Sequence, residues 1–299
     1  MRCAHIVAVL MFITLGSHTT SSYGLETVYV MHPYEGKARF RYHVALIEQA
    51  LDKVSDDNTY YVLKGIDTEA SESLLLRLLE AERVDLVFRP VTKTMEHSFL
   101  PIRIPLDRGL LGWRIMLINK NKQAQFDQIK TIQQLQHLKL VQGQGWNDIL
   151  VYEFNGIPVF QESQFSKMFS LVASGNVDAF PRGIQEVFDE HQQWSTSFPE
   201  LAIEQSIVLH YDFVRYVWFM PTDKGRRLRD KVERGLEMMI EDGSFDDTFN
   251  QFFHDTVSKA NLDERVIIEL SNPFLPSSIP FKRKSLLIDP NQIEVKSSQ

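Results

Sequence analysis

Apolar and polar positions follow two different periods along the chain, and the changes from one period to the other predict an α/β fold. Thr27 to Met31 alternates as a strand does, whereas Arg39 to Val54 places its apolar residues at helical spacing. A short strand (Tyr60 to Leu63), a leucine-rich helix (Ser71 to Ala81) and a third strand (Val84 to Phe88) follow. The order βαβαβ predicts a parallel sheet with right-handed crossovers.

The same alternation begins again in the second half of the chain. The predicted elements there are, in order, a helix at Ile132 to Leu138, a strand at Lys139 to Gln142, a helix at Asn147 to Asn155, a strand at Pro158 to Gln161 and a helix at Phe165 to Ala173. A chain of this length and regularity predicts two α/β lobes, because single domains usually hold about 100–150 residues.

Two long apolar stretches separate these repeated units and predict where the chain passes between the lobes. Ile102 to Asn119 and Ser206 to Met220 both have the composition of extended segments. We therefore predict one lobe from residues 25–110 and 213–299, a second lobe from residues 111–212, and two hinge strands that join them. Paired crossings of this kind allow one lobe to rotate as a rigid body against the other.

The part of the chain after the second crossing predicts two helices and a tail. Asp223 to Glu241 has a continuous apolar stripe and ends at Gly243, and a short helix with several phenylalanines follows. The tail, residues 258–299, contains a strand-like run at Val266 to Leu270. Since the tail is too apolar for a free disordered end, we expect it to extend along the first lobe.

One short pattern occurs twice and supplies the first candidate chemistry. Leu78 to Arg89 and Leu171 to Arg182 each combine the end of a helix, a polar turn and a short apolar strand that ends in arginine. Ligands of open α/β sheets lie outside the carboxyl ends of the strands, so Arg89 and Arg182 are predicted to face a cleft between the lobes. Two guanidinium groups there would hold an anionic solute. The alternative is that each arginine forms only a surface ion pair.

The loops next to these strands add further candidates. Residues 143–148, which include Asn147, follow a strand and open a helix, so their backbone amides are predicted to bind an anion at the helix N-terminus. The alternative is that Asn147 or Asp148 only caps the helix. Other aromatic or imidazole side chains predicted to border the cleft, unless they serve only in packing, are His32, Tyr34, Trp113 and Trp146. The sequence contains no recognisable catalytic or metal-ligand motif, and we expect neither an enzyme nor a cofactor.

Charge and cysteine content narrow the classes of partner. The formal net charge of −7 disfavours nucleic acid, which needs an excess of Lys and Arg on one face. The single cysteine, Cys3, lies in the first segment, so the rest of the chain has no disulfide or thiolate metal site. We expect a monomer whose main partner is a small anionic solute.

The first residues are typical of an export signal. Met1-Arg2 is a positive start, Ala4 to Leu15 is mostly apolar, and small residues precede a predicted cleavage after Gly24. The apolar run is shorter than the ~20 residues needed to span a bilayer. Residues 1–24 therefore predict a cleaved signal peptide and a periplasmic location.

Two segments carry a resemblance to a known family. Phe169 to Phe180, with its helix, Ser-Gly turn and Val-Asp-Ala strand, and Met220 to Phe253 resemble the corresponding segments of type II periplasmic solute-binding proteins, particularly family three. The resemblance implies a two-lobe protein that closes on a small solute and presents it to a membrane transporter, in the manner of an ABC transporter receptor. It leaves open a sensing module for a membrane signalling partner, with the tail as its docking surface, and a dehydratase-like enzyme on the same fold.

Two positions differ from the residues that are usual in the amino-acid-binding members of that family. Met95, in the run from Thr92, stands where those members usually have the arginine that holds the ligand carboxylate. Arg182 and its neighbours stand where an aspartate for the ligand ammonium is usual. The resemblance therefore implies the fold and the solute-binding role, while the usual clamp for amino acids is missing.

Overall fold

We describe the protein from a computed structural model, and the description covers residues 24–33, 40–55, 59–68, 72–277, 279 and 283–288. Most of the predicted export signal lies outside these residues. Three sheets and the helices packed on them form a mixed α/β structure, as the sequence predicts. No helix in the described part of the chain is both long enough and apolar enough to cross a bilayer.

The strands and helices agree with the sequence periodicity at most positions. The strands are β1 (Gly24–Pro33), β2 (Thr59–Thr68), β3 (Val87–Pro90), β4 (Leu100–Ile102), β5 (Trp113–Asn119), β6 (Leu140–Gly143), β7 (Val159–Glu162), β8 (Ala179–Gly183), β9 (Leu201–Ile203), β10 (Ile207–His210), β11 (Arg215–Phe219) and β12 (Val266–Glu269). The helices are α1 (Arg41–Val54), α2 (Glu72–Glu80), α3 (Lys93–Ser98), α4 (Gln123–Phe126), α5 (Ile132–Leu135), α6 (Asp148–Phe154), α7 (Phe165–Ala173), α8 (Ile184–Trp194), α9 (Asp223–Asp242) and α10 (Ser244–Lys259).

The first four strands belong to two small sheets. β1 pairs in parallel with β2, and a parallel bridge joins Val30 to Leu86 just before β3, in agreement with the βαβαβ prediction. β3 itself pairs antiparallel with β11, which comes from the second half of the chain and also pairs antiparallel with β4. This sheet of β3, β11 and β4 therefore joins residues that are more than one hundred positions apart.

The largest sheet holds seven strands in the order β12, β10, β5, β8, β6, β7, with β9 paired to β5. β6 lies parallel to β7 and β8, as expected for the repeated strand–helix units. β5 is antiparallel to β8, β9 and β10. The carboxyl end of β8 consequently lies beside the beginning of β5, and these two ends border the candidate site.

The two crossing segments are more broken than their apolar composition predicts. Between β4 and β5 the chain turns and forms a 3-10 helix at Leu110–Gly112, and between β10 and β11 residues 211–214 are irregular. The segments nevertheless run side by side, since the Tyr211 amide donates to the Gly112 carbonyl at 3.2 Å. A β-carbon at Gly112 would lie only 2.2 Å from the Tyr211 carbonyl oxygen, so this approach requires glycine.

Helix α9 is the main packing partner of α1. The apolar stripe predicted from the sequence is buried, and Thr222 caps the helix by accepting a hydrogen bond from the Gly225 amide at 3.3 Å. Gly235 lies where the two helices come closest, because a β-carbon there would be 1.9 Å from the Ala50 carbonyl oxygen.

The tail contacts both halves of the molecule. β12 pairs in parallel with β10 in the large sheet, and Arg265 is buried with Nη1 donating to the Glu204 main-chain oxygen at 2.7 Å. Farther on, Arg283 binds Glu237 of α9 through two hydrogen bonds, and the Ile288 amide donates to the Arg108 carbonyl. The tail thus first adds a strand to the large sheet and then contacts α9 and the segment between β4 and β5. The lobe boundaries at residues 110 and 213 stay predictions.

Candidate functional site

A small cavity lies where β3, the two crossings, the start of α6 and the end of β8 meet. We call it the cleft cavity, and its volume is about 40 Å³. Its lining residues are Phe88, Pro90, Leu111, Arg114, Trp146, Asn147, Asp148, Arg182, Phe213 and Arg215. Three guanidinium groups, one carboxylate and three aromatic rings thus line one partly open cavity.

Arg182 reaches the cleft cavity from the end of β8 and is 1 % exposed. Its Nε and Nη2 donate to the two carboxylate oxygens of Glu190 at 2.5 and 2.6 Å, and Nη2 lies 3.0 Å from Glu186 Oε2. Both glutamates belong to α8, which begins directly after β8 and turns these carboxylates back towards the strand end. The Arg182 guanidinium also lies over the rings of Trp146 and Phe180, at 5.0 and 4.9 Å.

Arg114 enters the cavity from the start of β5. Its Nε donates to Tyr211 Oη at 3.0 Å, and Nη2 lies 3.2 Å from Asp148 Oδ2. Burial works to lower the pKa of Arg114, but Tyr211 and Asp148 outweigh it and raise that pKa. For Asp148, burial raises the pKa even though Arg114 and Arg182 work to lower it. Arg114 therefore stays cationic in the cavity, with Asp148 as its closest acidic neighbour.

Arg215 enters from the second crossing, at the beginning of β11, and is 2 % exposed. Its Nη1 lies 3.2 Å from His43 Nε2 of α1 and 3.5 Å from Asp107 Oδ2. Burial raises the pKa of Asp107 to about 6, with Arg215 acting in the opposite direction. Asp107 is therefore a buried carboxyl that titrates close to neutral pH.

The free energy of unfolding is expected to fall as the pH rises from about 4 to about 6, through the contribution of Asp107. The folded protein holds the Asp107 proton up to about pH 6, whereas the unfolded chain loses it near 3.8. The folded state therefore binds more protons in this range, and the difference is worth on the order of 3 kcal/mol. Urea denaturation at several pH values should show this slope in the wild type, a weaker slope in Asp107→Asn, and an unchanged slope in the exposed control Asp189→Asn.

The loop before α6 brings Trp146 and Asn147 to the cleft cavity. A β-carbon at Gly143 would lie 2.2 Å from the Trp146 ring, so glycine is needed for this ring to pack against the strand. Trp146 stacks on Phe180 with ring centroids 6.1 Å apart. Asn147 is the N-cap residue of α6 but its side chain makes no capping hydrogen bond. The capping explanation for Asn147 therefore has no support from this geometry.

Of the other predicted residues, two lie outside the cleft cavity and two have side chains that the structure does not describe. Arg89 is buried in β3 between Phe88 and Pro90, which line the cavity, so its side chain points to the opposite face of the strand. Trp113 contacts the His210 ring in a tilted arrangement with centroids 4.1 Å apart, and it is not among the residues that line the cleft cavity. His32 lies in β1, where its side chain is not described, and Tyr34 lies outside the described residues. The structure thus brings together Arg182, Trp146 and Asn147, and it does not place Arg89 with them.

Sequence reasoning missed Arg114 and Arg215. Arg114 is the only arginine in the apolar run from Leu110 to Asn119, and Arg215 is the only one between Ser206 and Met220, but both runs were interpreted only as extended segments. An isolated charge in a buried run is expensive unless it is paired, so such an arginine is a usable signal for a polar site.

Comparison with known proteins establishes the fold. No protein-family model matches the chain, and no curated protein is similar to it in sequence. Among solved structures, a probable amino-acid ABC transporter extracellular-binding protein from Bacillus subtilis is similar with a TM-score of 0.56 and 20% identity, over 77% of this chain and 98% of that one.

Two further structures show the same architecture. An ancestral arginine-binding protein bound to arginine has a TM-score of 0.52 and 17% identity, over 79% of this chain and 100% of that one. The GluR0 ligand-binding core from Nostoc punctiforme, in complex with L-glutamate, has a TM-score of 0.52 and 16% identity, over 77% of this chain and 98% of that one. The predicted type II periplasmic-binding-protein-like fold is therefore confirmed.

Proposed function

We propose that this chain is an extracytoplasmic solute-binding protein that closes on a small solute with an anionic group and presents it to a membrane transporter. The observation that carries the proposal is the cleft cavity, in which residues from β3, both crossings and the ends of β8 and the α6 loop converge. The solved structures with this fold include proteins named for amino-acid binding and ABC transport, which supports a solute-binding role.

The charges of the lining support an anionic group on the solute. Arg114, Arg182 and Arg215 line the cleft cavity, and Asp148 is its one acidic lining residue among the described part of the chain. The remaining acids near these arginines, including Glu190, do not line the cavity. Arg182 holds both oxygens of Glu190 at 2.5 and 2.6 Å, whereas Arg114 lies farther from its carboxylate neighbours Asp148 and Glu186, at 3.2 and 3.8 Å. We therefore assign the solute anion to Arg114 first. Phe88, Trp146 and Phe213 supply apolar walls for the rest of the solute.

The size of the cleft cavity indicates that binding requires movement. About 40 Å³ is far below the roughly 300–1,000 Å³ that is typical of small-molecule sites, so a solute of several heavy atoms needs a wider opening. Rotation about the two crossing segments would supply it, because only a few backbone angles need to change there.

Replacing Arg114 with methionine is expected to weaken solute binding by about 10- to 100-fold, since hydrogen bonds to charged groups contribute about 1.5–3 kcal/mol. The solute is first identified by native mass spectrometry of freshly purified protein, or by thermal shift with a panel of small carboxylates and phosphates. Calorimetry then measures the affinity of the wild type and the variant. Arg114→Lys, which keeps the charge without the planar fork, should lie between them.

Arg227→Met serves as the matched control, because Arg227 is exposed on α9. Wild-type affinity in Arg114→Met would remove Arg114 from the site, provided circular dichroism shows an unchanged fold. Turnover of the bound compound would instead favour an enzyme on this fold.

Deleting the whole tail is not a clean test of a sensing role. Deleting residues 258–299 would also remove β12 and Arg265, which belong to the large sheet. Removing residues 289–299 leaves every described contact of the tail in place. Loss of signalling with unchanged solute affinity in that truncation would favour the sensor, whereas unchanged transport would favour the transporter receptor.

A further inference from the structure

A second concave surface lies outside the cleft cavity, at the ends of β10 and β12. We call it the outer pocket, and its volume is about 430 Å³. Its lining residues are Phe154, His210, Asp212, Glu269, Leu270, Ser271, Asn272 and Pro273. A volume in the range of about 300–1,000 Å³ is typical of small-molecule sites.

The outer pocket shares the second crossing with the cleft cavity but uses its other side. Tyr211 and Phe213 have their rings 5.8 and 5.4 Å from the Arg114 guanidinium carbon, on the side of the cleft. His210 and Asp212, which alternate with them, line the outer pocket. The two sites are therefore separate, with one segment of chain between them.

Hydrogen bonds fix the walls of the outer pocket. Asn155 of the α6 C-terminus accepts from the Ser271 amide at 3.0 Å and donates to the Ser271 carbonyl at 2.8 Å. Asn272 Nδ2 donates to the Asp212 carbonyl at 2.8 Å, and the Leu270 amide donates to the His210 carbonyl at 2.8 Å. The pocket is thus formed by ordered backbone on both sides, as small-molecule sites usually are.

The charge of the lining is negative. Glu269 and Asp212 are carboxylates, and His210 Nδ1 lies 2.8 Å from Glu269 Oε2. Two carboxylates face at most one imidazolium, so the net charge is negative in either protonation state of His210. Burial raises the pKa of Asp212 and Glu269 raises it further, against the opposing effect of His210. A cation in the pocket would relieve this repulsion between the carboxylates.

An exposed aromatic ring completes the pocket. Phe154, the last residue of α6, is 56 % exposed and packs edge-on against Phe274 with ring centroids 5.9 Å apart. The face of a phenylalanine ring attracts ammonium groups through the ring quadrupole. A lining that combines an aromatic ring with two carboxylates suits an organic ammonium ion better than a hydrated metal ion.

We propose that the outer pocket is a second ligand site, independent of the cleft cavity, that binds a small organic cation between Phe154 and the carboxylates of Asp212 and Glu269. The positive group lies against the two carboxylates, and its carbon atoms lie on Phe154 and Pro273. This assignment does not depend on the solute-binding role proposed for the cleft.

The test uses the full chain and three probes: choline, phenethylammonium and spermidine. Calorimetry and ligand-observed NMR should show saturable binding of at least one of them at millimolar concentrations. The uncharged isostere of choline, with carbon in place of nitrogen, should bind at least tenfold more weakly than choline. Asp212→Asn combined with Glu269→Gln should weaken binding at least tenfold, and Phe154→Ala should weaken it several-fold.

The matched control is Asp189→Asn combined with Glu241→Gln, which removes the same two charges from exposed positions outside the pocket. The control should bind as the wild type does. The proposal is overturned if none of the three cations binds, if the uncharged isostere binds equally well, or if the two double variants bind alike. Binding that is lost in Arg114→Met but kept in Asp212→Asn/Glu269→Gln would place the cation in the cleft cavity and would also overturn it.

Discussion

Replacing Gly235 with alanine is expected to lower the free energy of unfolding by about 3 kcal/mol, at the upper end of the cost of overpacking. The added β-carbon would lie 1.9 Å from the Ala50 carbonyl oxygen and 2.9 Å from the Ala50 Cα. Neither atom belongs to a flexible side chain, so α1 and α9 would have to move apart. The intrinsic preference of helices for alanine, about 1 kcal/mol, offsets only part of this cost.

Arg234→Ala supplies the control, because Arg234 is the exposed neighbour of Gly235 on the same helix. Urea denaturation of both variants measures the difference directly. If Gly235→Ala and Arg234→Ala had equal stability, the close approach of α1 and α9 described here would be incorrect.

Replacing Arg182 with methionine is expected to destabilise the protein by about 3–5 kcal/mol, the usual cost of removing one partner of a buried ion pair. The substitution leaves Glu186 and Glu190 next to the cleft cavity without the guanidinium that binds both of them. Methionine roughly preserves the volume of the side chain, so the effect comes mainly from the charge. Urea denaturation again gives the free energy.

A double-mutant cycle tests whether the ion pair causes that loss. Arg182→Met combined with Glu190→Gln should be less destabilised than the sum of the two single variants, with a coupling energy above about 1 kcal/mol. Simple additivity would mean that Arg182 acts through packing on Trp146 and Phe180 alone, and not through its carboxylate partners.

Arg182 and Arg89 show what a strand-end pattern can and cannot predict. The pattern placed both arginines at the correct end of a strand, since β3 and β8 contain them at or near their last residues. It could not predict which face each side chain occupies, because one position along a strand reverses the direction of the side chain. Phe88 and Pro90 of β3 line the cavity, so the Arg89 side chain between them lies on the opposite face of the strand.

The sequence also did not reveal which residues pair with the buried arginines. Glu186 and Glu190 follow Arg182 by one and two helical turns, but α8 was not among the predicted elements, so this pairing was missed. Arg215 meets His43 although 172 positions separate them along the chain. Local periodicity predicted most helices and strands. Contacts between residues so far apart in sequence depend on the tertiary fold, which local periodicity does not describe.

The position of β12 has a consequence for the order of events during synthesis. The strand that closes one edge of the large sheet comes from residues 266–269, near the end of the chain, and Arg265 binds Glu204 next to it. Until these residues leave the ribosome, β10 lacks one of its neighbours and Glu204 lacks its guanidinium partner. The large sheet is consequently expected to be completed only after residues 265–269 have been synthesised, since contacts between residues distant in sequence form slowly.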